Sequence, residues 1–130
     1  MLGEKIGEGT GQVIGQRVLE GHRMEVSVRG TGKLLGLDMQ ETITYEATMR
    51  PDGSLQGTGR GIAMGANGEA ATYIAAGIGT MKASGDVAWR GAFFYTSQSK
   101  TWSKLNGTCV VFEAEVTAKG ESKATLHEWK

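Results

Sequence analysis

GSLQGTGRGIAMGANGEAATYIAAGIGTMKASGDVAWRGAFFYTSQSKT, residues 53–101, decides the fold, because it reads as three consecutive antiparallel strands. The first, 55–64, sets Leu55, Gly57, Gly59, Gly61 and Ala63 on one face and Gln56, Thr58, Arg60, Ile62 and Met64 on the other. Alternation of period two marks a strand rather than a helix. Asn67-Gly68 is a strong hairpin-turn signal. The second strand, 70–81, carries Gly77 and Gly79, and Ser84-Gly85-Asp86 turns into the third, 87–97. There Trp89, Phe93 and Tyr95 alternate with Arg90, Phe94 and Thr96. A row of glycines strips side-chain bulk from one face of a sheet. The sheet then coils tightly, or another group lies against the bare backbone.

Toward the N-terminus, a strand over 37–50 puts Met39, Glu41, Ile43, Tyr45, Ala47 and Met49 on one face. Its other face is rich in threonine, as β propensity prefers. Pro51-Asp52-Gly53-Ser54 follows as a turn, proline presetting one backbone angle and glycine supplying a positive one. The cleanest alternation in the chain is Met24, Val26 and Val28 against Arg23, Glu25, Ser27 and Arg29. That strand runs on through Gly30 and Gly32 to Leu34. Before it, residues 9–20 form a first strand with Gly15 marking a bulge. Residues 1–8 read as an irregular or edge segment.

Toward the C-terminus, 97–107 is a polar connection holding Trp102 and Leu105, suited to a short helical turn. A strand over 108–118 turns Val110, Phe112, Ala114 and Val116 inward, and Lys119-Gly120-Glu121 leads to the last strand, 122–129. About eight strands at near-regular spacing with short turns imply a barrel or sandwich. Closure leaves no unpaired sheet edge. The expectation is all-β: one domain over 1–130, forming a closed eight-stranded antiparallel β-barrel.

Lys and Arg number 14 and Asp and Glu number 14, and no basic patch stands out, so no nucleic acid is expected as a partner. No apolar stretch approaches the roughly 18 residues of a membrane helix. The start, MLGEKIGEG, has no basic segment followed by an apolar run, so neither a membrane nor a secretion signal is expected. Cys109 is the one cysteine, so no disulfide forms within the chain, which fits a reducing, cytoplasmic setting. Glycine occurs at 21 positions without a Gly-X-Y period, and the threonine, valine and aromatic residues between argue against disorder.

The strings Gly57-Thr58-Gly59-Arg60-Gly61, Asn67-Gly68-Glu69-Ala70, Gly77-Ile78-Gly79, Trp89-Arg90-Gly91-Ala92 and Thr96-Ser97 carry a resemblance. Leu105-Asn106-Gly107, Val111-Phe112-Glu113 and the terminal Glu128-Trp129-Lys130 extend it over most of the chain. Together they resemble a small bacterial family of unknown function, grouped by fold with the allene oxide cyclase-like barrels and, more distantly, plant dirigent proteins. The resemblance implies an eight-stranded barrel, a homo-oligomer, and an apolar lumen that shapes a reactive small molecule. Allene oxide cyclase uses a lumen carboxylate and a positioned water. No local motif here matches those positions, so the resemblance transfers no catalytic residue.

The glycine row is not a phosphate cradle, since no strict GxGxxG or Walker pattern occurs and the glycines sit within strands. No cofactor is expected. His22 and His127 are too few and too separated for a zinc site, so no metal is expected either. Cys109 reads as an inert buried thiol, Ser97 lacks a nucleophile-elbow context, and Asn106-Gly107-Thr108 reads as a turn rather than a glycosylation site.

Six residues are candidates for ligand contact. Glu41 shares its face with Met39 and Ile43, which aims a carboxylate into the lumen, where it is costly unless paired or hydrated. Tyr45 lies four residues on, roughly 13 Å along a strand, so each needs a partner from another strand. The commoner arrangement is a carboxylate at the barrel mouth paired with an arginine. Arg60 and Arg90 suit a ligand carboxylate, although outward-facing arginines are the rule. Tyr73 and Tyr95 offer hydroxyls to a ligand, or pack as core with a wet tip.

Three functions follow. The first is binding of a small apolar or amphipathic molecule in the lumen. The second is cofactor-free isomerase or cyclase chemistry there, which needs a desolvated carboxylate or tyrosine with a shifted pKa. The third is a structural oligomer without ligand, which needs a filled barrel and a large apolar subunit interface.

Overall fold

A computed structural model describes residues 1–130. Its strands, in chain order, are β1 (Leu2–Leu19), β2 (Arg23–Leu34), β3 (Leu37–Met49), β4 (Leu55–Gly65), β5 (Ala70–Met81), β6 (Val87–Ser97), β7 (Cys109–Val116) and β8 (Glu121–Trp129). A 3-10 helix, Lys100–Gly107, stands between β6 and β7. Each strand pairs antiparallel with the next, and β1 pairs with β8, so the sheet closes on itself. The expected closed eight-stranded barrel is what forms. No helix is long and apolar enough to cross a membrane.

Residues 1–8 are not an irregular segment. They are the first part of β1, with Leu2 opposite Trp129, Lys5 opposite His127 and Gly7 opposite Leu126. Most of the pairing that makes them a strand comes from the far end of the chain, and only Gly7 and Glu8 also pair with β2, at Leu34 and Lys33. The register shifts between Val13 and Gly15, where the sequence predicts a bulge.

Up-and-down connectivity gathers the β1–β2, β3–β4, β5–β6 and β7–β8 turns at one end. The β2–β3 and β4–β5 turns, both termini and the 3-10 helix gather at the other. The helix plugs that end. Trp102 and Leu105 are buried beside Leu34 and Val110, and the Trp102 indole N–H donates to the Leu34 carbonyl at 3.2 Å. Asn106 ties the helix back to β6: its Oδ1 accepts from the Ser97 N–H at 2.8 Å, and its amide donates to the Ser97 carbonyl at 2.9 Å.

Both expected uses of glycine occur, on different strands. Between β1 and β2 it permits close backbones: a Cβ on Gly30 would lie 2.6 Å from the Thr10 carbonyl oxygen. On β4, β5 and β6 it seats aromatic rings. Tyr73 on β5 stands opposite Gly61 on β4, and a Cβ there would enter its ring. Trp89 on β6 lies over Gly79 and reaches Gly57, where a Cβ would lie 3.0 Å and 2.7 Å from the indole. Phe112 on β7 lies over Gly91, 2.8 Å from the Cβ position. A Gly61→Ala substitution is therefore expected to cost about 1–3 kcal/mol, as overpacking does. At Gly15 an added Cβ meets nothing within 4 Å. Gly15→Ala is expected to change stability by less than about 1 kcal/mol. Urea unfolding of the two variants checks this, and an unaltered Gly61→Ala midpoint would refute the ring-seat account.

Candidate functional site

The inward faces leave a cavity of about 110 Å³ on the side away from the plug, lined by neither Trp102 nor Leu105. Its walls are aromatic. The Phe93 ring lies 4.6 Å from Tyr73, nearly parallel at 22°, and 4.6 Å from Phe112. Tyr45 and Trp89 meet edge to face at 5.6 Å. Such offset and edge-to-face contacts suit the ring quadrupoles. Small residues on the same walls, among them Ala75, Ala114 and Ala124, keep the space open.

Glu41 projects from β3 into this cavity. On β4 it faces Ala63, while the next inward β4 position, Gly61, lies opposite Ile43. The bare Gly61 backbone lets the Tyr73 ring cross β4 toward β3, where its hydroxyl donates to Glu41 Oε1. Oε2 accepts no hydrogen bond from the protein, and no lysine, arginine or histidine forms an ion pair with the carboxylate.

Burial pushes the Glu41 carboxyl above its ordinary 4.5, and the Tyr73 hydrogen bond opposes this only in part. Burial, then the charge and hydrogen bond of Glu41, push the Tyr73 hydroxyl far above the phenol range. Tyr95 is raised by burial and then by Glu41. Tyr45 is raised by burial, with Trp89 opposing. The three phenols therefore stay protonated, and Glu41 is the lumen group that titrates.

Of the six sequence candidates, Glu41, Tyr45 and Tyr73 line the cavity together. Tyr95 faces inward but sits behind Tyr73, 4.9 Å between ring centres, and does not line it. Arg60 and Arg90 point outward, and Arg90 Nε lies 3.6 Å from Glu113 Oε1 on the outer surface. The arginine partner expected for a mouth carboxylate is absent, because Glu41 sits within the lumen and its partner is a phenol from β5. Trp89, Phe93 and Phe112 are lumen residues the candidate set omitted. Their place on the inward face of the β6 and β7 alternation was the available signal. Cys109 is half-buried and unpaired. No group of three or more His, Cys, Asp or Glu side chains is placed to hold a metal ion.

A second carboxylate, Glu128 on β8, is 3% exposed at the plugged end. Lys130 Nζ lies 3.2 Å from Oε1 and Lys104 Nζ 3.3 Å from Oε2. Those ammonium groups, Lys130 foremost, hold its carboxyl below the ordinary range. It is charge-compensated, and Glu41 is not.

No protein-family model matches the chain, and no curated protein does. Solved structures match it from end to end. A protein of unknown function from Clostridium acetobutylicum is 13% identical with a TM-score of 0.84, covering 99% of this chain and 98% of its own. A β-barrel-like protein from Acinetobacter baumannii is 14% identical with a TM-score of 0.80, covering 100% and 96%. A looser match, an enzyme from Penicillium herquei, is 13% identical with a TM-score of 0.56, covering 96% and 92%. At such identities the likeness shows the fold alone. The class is a small closed β-barrel, here with one uncompensated carboxylate in an aromatic lumen.

The raised carboxyl of Glu41 has a definite sign in the pH dependence of stability. Between its unfolded and folded pKa values the folded state holds more protons, so stability falls as pH rises from 4.5 through the raised value. Glu128 and Asp52, both held below the ordinary range, act oppositely: their contribution is present at neutral pH and lost on acidification. Glu41→Gln removes the Glu41 term alone. The variant is expected to gain in melting temperature relative to the parent between about pH 4 and about pH 8. Thermal melts at both values check it, and parallel pH profiles would contradict the assignment.

Proposed function

We propose that this barrel binds one small, mostly apolar or amphipathic molecule in its lumen, with Glu41 as the group that orients it. The observation carrying this is the cavity: about 110 Å³ behind aromatic and aliphatic walls, with a carboxylate on one of them. A purely structural barrel would be filled. Apolar pockets with a few fixed polar groups are the usual form of a small-molecule site. An apolar cavity of about 150 Å³ takes up benzene, so the space here suits a ring of about five or six atoms or a short chain. Tyr45 and Tyr73 are the proposed neighbours of that molecule. Tyr95 braces Tyr73 from behind, and Arg60 and Arg90 take no part. The lone free thiol, Cys109, fits a cytoplasmic setting.

The Glu41–Tyr73 pair favours a second reading, a cofactor-free isomerase or cyclase. A desolvated carboxylate with a raised pKa is suited to moving a proton near neutral pH. The resemblance to allene oxide cyclase-like barrels supports this reading, as does the fold shared with the Penicillium herquei enzyme. Such chemistry needs the same bound molecule, so binding is tested first.

Self-association belongs to the same proposal. On the outer face Ile74 and Phe94 stand directly opposite each other, 63% and 52% exposed. Arg90 and Glu113 are adjacent opposite charges at the edge of that patch. A two-fold contact lays a patch on itself, so adjacent opposite charges meet their complements.

Native mass spectrometry of protein purified gently from its own host is expected to show one small molecule per chain. Ala124→Leu grows a wall residue into the cavity and is expected to lower occupancy by about tenfold or more while the chain still melts cooperatively. Undiminished occupancy would put the molecule elsewhere and overturn the lumen reading. In light scattering, Ile74→Lys is expected to convert the oligomer to monomer, and an oligomer mass that survives the change would remove this face as the contact.

A further inference from the structure

We infer that the lumen ligand carries a protonated nitrogen, an amine on a small apolar body, whose ammonium pairs with Glu41. This rests on the binding reading above and names its chemistry. Glu41 is the one charged side chain directed into the cavity. Glu8 and Lys123 border it from exposed, outward positions of β1 and β8. One Glu41 oxygen accepts from Tyr73, and Oε2 is without a protein donor. A carboxylate taken out of water without a counter-ion is strongly disfavoured, and a cation brought by the ligand offsets that penalty.

The contrast with Glu128 sharpens the point. The chain supplies two lysines to the fully buried Glu128 and none to the half-buried Glu41. The walls fit the same chemistry. Rings of Tyr45, Tyr73, Trp89, Phe93 and Phe112 line the cavity, and aromatic faces attract organic cations. Tyr73 already spends its hydroxyl on Glu41, so this pair offers the ligand an acceptor and not a donor. A ligand carboxylate would meet like charge and find no cation. A ligand that donates, and brings positive charge, meets every group on the wall favourably.

The test is calorimetric titration of the full chain near neutral pH with cyclopentylamine and with cyclopentanol, which match in size and differ in charge. The amine is expected to bind about tenfold more tightly or better. Glu41→Gln is expected to reduce that ratio to about one. Tyr73→Phe, which keeps the carboxylate, is expected to retain it. Binding of the alcohol as tightly as the amine by the parent chain would overturn the charge inference and leave lumen binding standing, whether or not the Glu41 variant folds. An amine preference that survives Glu41→Gln, or an amine affinity untouched by Ala124→Leu, would overturn it too. Failure of both probes, together with an empty native mass spectrum, would overturn this inference and the binding reading alike.

Discussion

The interior of this barrel depends on one recurring exchange, an aromatic ring laid across a glycine of the preceding strand. Tyr73 crosses Gly61, Trp89 crosses Gly79, and Phe112 crosses Gly91. Each ring leans toward the strand before it in the chain. Steric exclusion enforces the direction, because a Cβ at any of those glycines would occupy the ring's place. The rings then stack on one another, Tyr73 on Phe93 and Phe93 on Phe112, running across the neighbouring strands β5, β6 and β7. Packing of this kind gives the lumen fixed walls, since a close-packed ring cannot swing without displacing the next. The Glu41–Tyr73 hydrogen bond is the product of one such crossing, made across an intervening strand.

The two ends of the barrel treat polar groups differently. At the plugged end polar groups near the core are hydrogen-bonded or charge-compensated, although Glu128 Oε1 has an ammonium beside it and no hydrogen bond. The Trp102 indole has the Leu34 carbonyl, Asn106 has Ser97, and Glu128 has two lysines. Polar satisfaction there makes a rigid floor, as paired buried networks do. Above the floor the aromatic layer begins, and Glu41 stands in it with one oxygen unmet. A half-buried carboxylate without a counter-charge is costly to fold around, and groups with perturbed pKa values concentrate at functional sites. The floor and the rings supply the stability that tolerates it.

Alternation made the strands legible. Leu55 to Met64, Ala70 to Met81 and Val87 to Ser97 were readable because each residue's face follows from its number and the turns between them are chemically explicit. It also placed Glu41 in the lumen, from its company on β3 alone. What could not be read was whatever depends on a strand distant in sequence. Residues 1–8 become a strand because β8 pairs with them, about 120 residues away by the numbering of their partners. The partner of Glu41 comes from β5, and the sequence shows that Tyr73 and Glu41 both face inward without showing that Gly61 opens a path between them. Arg60 and Arg90 are candidates by chemistry alone, with the outward position as the favoured alternative, and outward is where they lie. A guanidinium's fitness for a ligand carboxylate says nothing about which side of the sheet it occupies, and their even positions, shared with Ile62 and Phe94, did.

Barrels 13–14% identical to this one keep its shape over nearly the whole chain, so the shape tolerates wide divergence in sequence. Chemistry must therefore reside in the few inward positions, and fold likeness cannot transfer it. Under the proposed binding of a cation, those positions would couple ligand charge to protonation. A cation beside Glu41 stabilises the ionised carboxylate and so lowers the pKa that burial has raised. Tyr45, Tyr73 and Tyr95, the other titratable groups facing it, remain neutral and cannot supply that compensation. The energy recovered on binding is then greatest where the empty barrel carries a naked charge, above the raised pKa of Glu41. Below it, the proton already neutralises the carboxyl, and a cation has little left to gain. On that proposal ligand, proton and fold stability are three readings of one carboxylate, which is why the removal of Glu41's charge, and not of its shape, is the informative change.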